Sequence, residues 1–302
     1  MRIFVAGGSG TIGVPLVRAL VSAGHEVTAL TRSPAKQAEL RRLGATPALA
    51  DALDRESLLA AVRNARPTHV VHQLTALPKE GPRNPRDVAA TNRLRIDGTR
   101  NLLHAAIQSG ATRLLVGSFA LLSPRSSNGA EPSDEAALAV RSMERQVIEA
   151  TRQGLIEGVI LRYGMFYGLE TPSTRKLIHL VRKRRLPIVR GDVGQLPVIH
   201  VDDAVSATVA ALDRAPAGSV YEIVDDQAVS MTQIVEAIAE YSGSPKPFTV
   251  PAWLPRLLAP YLARLTSLQM PLSNAKAKAE LGWRPKYSTV RDGLAEMFSR
   301  AA

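Results

Sequence analysis

Met1-Arg2-Ile3-Phe4-Val5-Ala6-Gly7-Gly8-Ser9-Gly10-Thr11-Ile12-Gly13 opens the chain: an apolar, β-branched run, a glycine-rich turn, then a helical pattern. Gly7, Gly10 and Gly13 are each spaced for a separate task. Gly7 permits a tight turn, Gly10 lets backbone approach a pyrophosphate, and Gly13 lets the helix sit close on the sheet. The first helical turn then offers N–H groups and a positive dipole end to phosphates. Ser9, Thr11 and Ile12 complete the expected phosphate loop. A glycine triplet alone is weak, but one lying between a strand and a helix reads as a dinucleotide site.

Outward from this turn the first half alternates strands and helices. Strands are expected at Arg2–Ala6, Glu26–Leu30, Thr46–Ala50, Thr68–His72, Arg113–Gly117 and Gly158–Leu161. Helices are expected at Ile12–Ser22, Ala35–Leu43, Arg55–Arg63, Ala89–Gln108 and Ala136–Arg152. Apolar strands alternating with helices imply a parallel sheet covered on both faces, and right-handed crossovers make it doubly wound. The fold class is therefore α/β, a doubly wound parallel sheet of Rossmann type with a smaller mixed C-terminal substrate lobe. Residues 1–162 form the expected dinucleotide domain and 163–302 the substrate lobe, where prolines become frequent. The lobes interleave through a returning strand near Val220–Val224 and a helix near Thr232–Tyr241. Arg125-Ser126-Ser127-Asn128-Gly129 reads as a mobile loop.

The second strand runs into Thr31-Arg32-Ser33, with no acid between Glu26 and Glu39. An NAD site wants a carboxylate there for the ribose 2′-hydroxyl, whereas a 2′-phosphate wants a guanidinium. Arg32 and Ser33 therefore point to NADP(H) over NAD. Asp51, beside Ala52, is placed to accept from the adenine amino group; helix capping by the Asp51–Asp54 stretch is the competing reading.

Bulk properties exclude several classes. The 302 residues are 45% hydrophobic and 22% charged, as a globular protein is. With no cysteine, disulfides and thiolate chemistry are absent, and six scattered histidines suggest no metal site. The net charge of +11 and the run Arg182-Lys183-Arg184-Arg185 come with only 4% aromatic residues, so they read as a solvated helix face, with nucleic acid not expected. No leader or membrane span is expected, and a cytoplasmic protein follows. Trp253 to Leu265, broken by Pro255 and Pro260, reads as an apolar cover over a pocket. The expected partners are a small-molecule substrate and, as one option, a second copy in a homodimer.

Further motifs carry a resemblance. His72-Gln73-Leu74-Thr75-Ala76, Asp97-Gly98-Thr99-Arg100-Asn101-Leu102-Leu103, Leu161-Arg162-Tyr163-Gly164-Met165-Phe166-Tyr167-Gly168, His200-Val201-Asp202-Asp203-Ala204 and Glu280-Leu281-Gly282-Trp283-Arg284-Pro285 follow the glycine loop in order. Together they resemble the extended short-chain dehydrogenase/reductase family, near its epimerase/dehydratase branch, over nearly the whole chain. The resemblance implies that Leu74, Thr75 and Ala76 line the cofactor's ribose side. Gly117 and Ser118 would flank the nicotinamide, and Tyr163 and Gly164 would contact it. For Asp202 and Asp203 the preferred reading is capping of a helix beside a buried His200.

The chain departs from that family where the chemistry is done. Members keep a Tyr-x-x-x-Lys pair on a helix, the lysine lowering the tyrosine's pKa for proton transfer. Here Asp134 to Glu149 holds neither residue type. Setting Glu144 at the family's following glutamate puts Ala136 at the tyrosine and Val140 at the lysine. Phe119 falls at the catalytic serine or threonine, and Arg95 where many members have asparagine. Ser118 and Tyr163 are the candidate substitute proton donors, with Tyr167 or water as others. Phe119, Met165, Phe166 and Trp253 suggest an apolar substrate rather than a nucleotide sugar. Three readings follow: an atypical NADPH-dependent reductase, a non-redox isomerase, cyclase or dehydratase, and a dinucleotide-binding sensor or structural subunit.

Overall fold

The computed structural model describes residues 1–78, 81–82, 84–122, 134–192, 194–258, 263, 269–270 and 272–299. The loop expected at Arg125–Gly129 lies outside the described residues.

A seven-stranded sheet is built from β1 (Arg2–Ala6), β2 (Glu26–Thr31), β3 (Thr46–Leu49), β4 (His69–His72), β5 (Arg113–Phe119), β6 (Glu157–Tyr163) and a late strand, β10 (Val220–Ile223). Its order is β3-β2-β1-β4-β5-β6-β10, with every pairing parallel. The order reverses between β1 and β4, the crevice where doubly wound sheets bind ligands beyond their carboxyl ends. One face buries Leu16, Val17 and Leu20 of α1 (Gly13–Ser22) with Ala204, Ala207 and Ala211 of α8 (Val201–Arg214). The other buries Leu58 and Val62 of α3 (Arg55–Ala65), Leu102 and Ala106 of α5 (Thr99–Gln108), and Met143 and Val147 of α6 (Glu135–Arg152). Strands buried on both faces explain why their sequences run apolar rather than alternating.

Two expected helices are not continuous. Ala35–Leu43 begins as a 3₁₀ turn at Pro34–Lys36 before α2 (Gln37–Arg42). Ala89–Gln108 divides into α4 (Ala89–Arg93), a π-helical turn at Leu94–Gly98, and α5. Such a turn widens the helix by one residue, a local irregularity that apolar periodicity does not reveal.

The second lobe carries two small parallel pairs, β7 (Met165–Tyr167) with β9 (Val198–His200), and β8 (Ile188–Val189) with β11 (Thr249–Val250). Between them run α7 (Pro172–Arg182) and α9 (Met231–Tyr241), the latter opened by a Ser230–Gln233 capping box. Because β10 pairs with β6, the first lobe's sheet is completed by the second half of the chain.

Candidate functional site

The glycine loop is a cradle that side chains would fill. Gly7 adopts φ +91°, and a Cβ there would lie 2.5 Å from the Gln73 carbonyl oxygen. A Cβ on Gly13 would lie 2.0 Å from the Gly7 carbonyl oxygen. The Gly10 N–H donates to that oxygen at 3.0 Å, closing the turn, while Gly10 and Thr11 stay exposed. No side chain caps α1, so an anion can complete the helix start. Bare backbone, a helix N-terminus and an exposed turn together fit a pyrophosphate.

At the adjacent strand end Thr31 organises the loop, a role that the sequence did not advertise. The buried Thr31 Oγ1 accepts from Ser9 Oγ at 3.1 Å and from the Ser33 N–H at 3.2 Å. Ser9 and Ser33 are thereby tied to one point, with exposed Arg32 between Thr31 and Ser33. Asp51 accepts from the Leu53 N–H at 2.9 Å, a local turn, and at the other end of the Asp51–Asp54 stretch Asp54 caps α3 through the Ser57 N–H. Ala52 is buried, its carbonyl accepting from Asn101.

Beyond β4, Leu74 donates its N–H to His72 Nδ1, and Ala76 donates its own to Thr91 Oγ1 at 3.0 Å. His72 therefore presents Nε2–H to Thr99 Oγ1 at 2.9 Å. Burial pushes its pKa down to about 4, so it is a neutral strut and not an acid. Thr75 is exposed on the same loop.

Both expected proton donors are committed elsewhere. Thr208 Oγ1 donates to the Ala204 carbonyl at 2.7 Å, so it accepts from the Tyr163 hydroxyl at 2.7 Å, which in turn accepts from Gln73 Nε2 at 3.0 Å. Burial pushes Tyr163 up to about 12. A Cβ on Gly117 would meet Gln73 Oε1 at 2.3 Å and the Tyr163 ring at 2.9 Å, so this glycine admits the chain of hydrogen bonds. Ser118 Oγ donates to Glu144 Oε1 at 2.7 Å, and Arg162 holds the same carboxylate through Nε at 2.9 Å and Nη2 at 2.6 Å. The hydroxyl hydrogens of Ser118 and Tyr163 point into the protein, towards Glu144 and Thr208. Ala136 and Val140, the positions that the resemblance assigns to the pair, are both buried. Gly164 is required by packing: a Cβ there would lie 2.8 Å from the Val198 carbonyl carbon.

Phe119 and Met165 join one apolar cluster with Leu196 and Met270. Phe166 instead packs on Tyr163, ring centroids 5.3 Å apart. Trp253 lies on a short helix, Trp253–Leu258, where it is 61% exposed, as are Leu257 and Leu258 at 72% and 73%. Those three side chains face solvent; residues 259–262 and 264–265 of the expected cover lie outside the described residues.

The aspartates after β9 also differ from expectation. His200 itself caps α8 through the Asp202 N–H, and buried Asp203 accepts from the N–H groups of Lys286 at 2.7 Å and Tyr287 at 3.0 Å. Asp203 ties the C-terminal segment to α8. Nearby, Asp225 accepts from the Tyr167 hydroxyl at 2.9 Å, while its Oδ1 is buried and has no hydrogen-bond partner. Burial first, with Asp203 and Asp226 adding repulsion, pushes Asp225 up to about 8. Its folded pKa lies above the unfolded one, so its contribution to stability is complete below about pH 4 and is lost as pH rises through about 8. Asp225→Asn keeps an acceptor for Tyr167. It is expected to flatten the fall of unfolding free energy between these limits by about 1 kcal/mol per pH unit, read by denaturant titration across pH. An unchanged slope would place Asp225 in ordinary solvation.

The profile of the family described as "NAD dependent epimerase/dehydratase family" matches residues 3–224. The chain is 38% identical to a "3-diazoavenalumate denitrifying reductase" from Streptomyces sp, over 97% of this chain and 99% of that protein. It is 27% identical to a "4-hydroxy-2-methyl-3-oxo-4-farnesyl-3,4-dihydroquinoline-1-oxide ketoreductase" from Stigmatella aurantiaca, over 97% and 95% of the two chains. Among solved structures, the Thermus thermophilus UDP-glucose 4-epimerase complex with NAD superimposes with a TM-score of 0.78 at 25% identity, covering 99% of this chain and 98% of that one.

Proposed function

Because the chain belongs to the NAD dependent epimerase/dehydratase family, we propose that it is an NADP(H)-dependent reductase of a small, largely apolar metabolite. We assign its substrate to electrophiles that take up hydride without a proton from the protein. The observation that carries this reading is the inward commitment of the Ser118 and Tyr163 hydrogens, with Ala136 and Val140 replacing the family's acid–base pair.

When bound, the reduced dinucleotide supplies a hydride, two electrons and no free proton. The glycine cradle, Ser9 and Thr31 would seat its phosphates, and Arg32 with Ser33 would hold a 2′-phosphate by charge and hydrogen bonds. At the other end Gln73, pinned through Tyr163 to Thr208, keeps the backbone around Gly117 fixed. Phe119 brings apolar surface where the family resemblance sets a hydroxyl, Met165 extends that surface, and together they would exclude water from the reacting atoms.

A diazo compound fits these demands, and the 38% identical reductase named for one supports it. Hydride on the outer nitrogen of a diazonium group forms an N–H bond. Loss of dinitrogen then breaks the C–N and N–H bonds, and that hydrogen forms the new C–H bond, so the chain supplies no net proton. A ketone would instead leave an alkoxide that neither Ser118 nor Tyr163, each donating into the protein, is set to protonate.

The test is NADPH consumption with an arenediazonium carboxylate and with a matched aryl ketone, alongside dinitrogen release. Turnover of the diazonium alone is expected, with Ser118→Ala and Tyr163→Phe each retaining kcat to within about threefold. Ketone turnover that Ser118→Ala lowers by about 100-fold or more would restore Ser118 as proton donor and overturn the reading.

A further inference from the structure

We infer that Leu196, Met231 and Met270, which the sequence left unassigned, complete a substrate wall with Phe119 and Met165, and that this wall selects flat, unsaturated skeletons over saturated ones. The inference rests on the reductase reading for the word substrate, and on the structure for the wall.

The wall is assembled from distant segments. Phe119 ends β5, two residues past Gly117, and pairs in register with Tyr163 of β6; Met165 follows Gly164 immediately after β6. Leu196 is brought in by a bridge to Val229, its N–H donating to the Val229 carbonyl at 2.9 Å. That bridge sets Ser230 and Met231 at the start of α9 beside it. The Met270 N–H donates to the Gln195 carbonyl at 3.3 Å, placing Met270 against Leu196. The resulting cluster is distinct from the two that flank the sheet. Leu196 and Met270 are its buried backing, whereas Phe119, Met165 and Met231 pack against them and remain partly exposed.

Position and chemistry name the occupant. The surface adjoins the carboxyl ends of β5 and β6, so a molecule reduced beside Gly117 must lie against it. The five residues have no ionisable side chain, so the polar end of that molecule points elsewhere. An aromatic face and the two accessible thioethers of Met165 and Met231, backed by Met270, favour a polarisable planar partner over an aliphatic one of equal area, because sulfur and ring contacts add to apolar burial. Methionines also adapt to ligand outline, which suits a wall built from separate segments.

The test measures binding, not turnover, on the protein saturated with NADP+. Calorimetry compares trans-cinnamate with 3-cyclohexylpropanoate for the wild type, Met231→Leu and Phe119→Leu. The wild type is expected to prefer cinnamate by about tenfold, and each variant to reduce that preference to about twofold, with dinucleotide affinity and melting temperature unchanged. Equal binding of the two acids by the wild type, or a preference that survives both variants, overturns the wall. Failure of diazonium turnover would leave this result standing, and loss of the preference in an enzyme that consumes diazonium would remove the wall alone.

Discussion

Gly13→Ala is expected to cost dinucleotide affinity about 100-fold or more, and to lower the unfolding midpoint as well. The added Cβ would fall 2.0 Å from the Gly7 carbonyl oxygen and 2.8 Å from the Gly8 carbonyl carbon, both backbone, so no side chain can swing away. Either the turn opens or α1 moves off β1, and each outcome withdraws the amides from the phosphates. Gly10→Ala is the informative contrast. Its Cβ would contact only the Gly7 oxygen, at 3.2 Å, from an exposed position, so the fold should survive. A loss confined to binding in Gly10→Ala, against a joint loss in Gly13→Ala, separates phosphate approach from helix docking. Titration of both variants with NADPH and NADH, followed by fluorescence, and thermal melts of the free proteins would read the two effects. Near-normal affinity in Gly13→Ala would show that the cradle is not where the dinucleotide sits.

Arg162→Met is expected to destabilise the protein by about 3–5 kcal/mol, because it strands a buried carboxylate. Glu144 is 2% exposed, and Arg162 supplies both of its strong hydrogen bonds to a cation. The Ser118 hydroxyl cannot hold that charge alone. Glu144→Gln with Arg162→Met removes both charges, and most of the lost stability should return. A double-mutant cycle from denaturant curves measures the coupling. If the single and double variants are equally unstable, the pair contributes packing rather than charge compensation. The ion pair joins α6 to β6 beneath the site, so the single variant should also loosen the end of β5 and raise KM for dinucleotide before it changes kcat.

Much of the fold was legible because it rests on backbone rules. The Met1–Gly13 stretch states strand, turn and helix in order, and the later strands carry the apolar runs that two buried faces demand. Irregularities escaped: nothing in Leu94-Arg95-Ile96-Asp97-Gly98 separates a π-helical turn from an α-helix by periodicity. The cofactor side was legible to the extent that glycines are unambiguous, and Thr31 was missed because a threonine at a strand end carries no signal of its own. The reacting end was legible mainly as an absence. Sequence showed that Asp134 to Glu149 lacks tyrosine and lysine, but not where the remaining hydroxyl hydrogens point. That direction follows from Thr208 and Glu144, which lie 45 and 26 residues from the groups they orient.

The returning strand also sets a timetable for synthesis. While the ribosome is still making residues beyond Tyr163, β6 is a bare edge with unsatisfied N–H and C=O groups. It stays so until Val220–Ile223 emerges to pair with it. The suture from Asp203 to Lys286 and Tyr287 closes later still, once those two residues have emerged. Cutting the protein at its nominal lobe boundary would therefore expose a sticky half-sheet rather than yield a free-standing nucleotide module. In the cell the nascent chain faces a long window in which chaperones, or another copy's edge, compete for that strand.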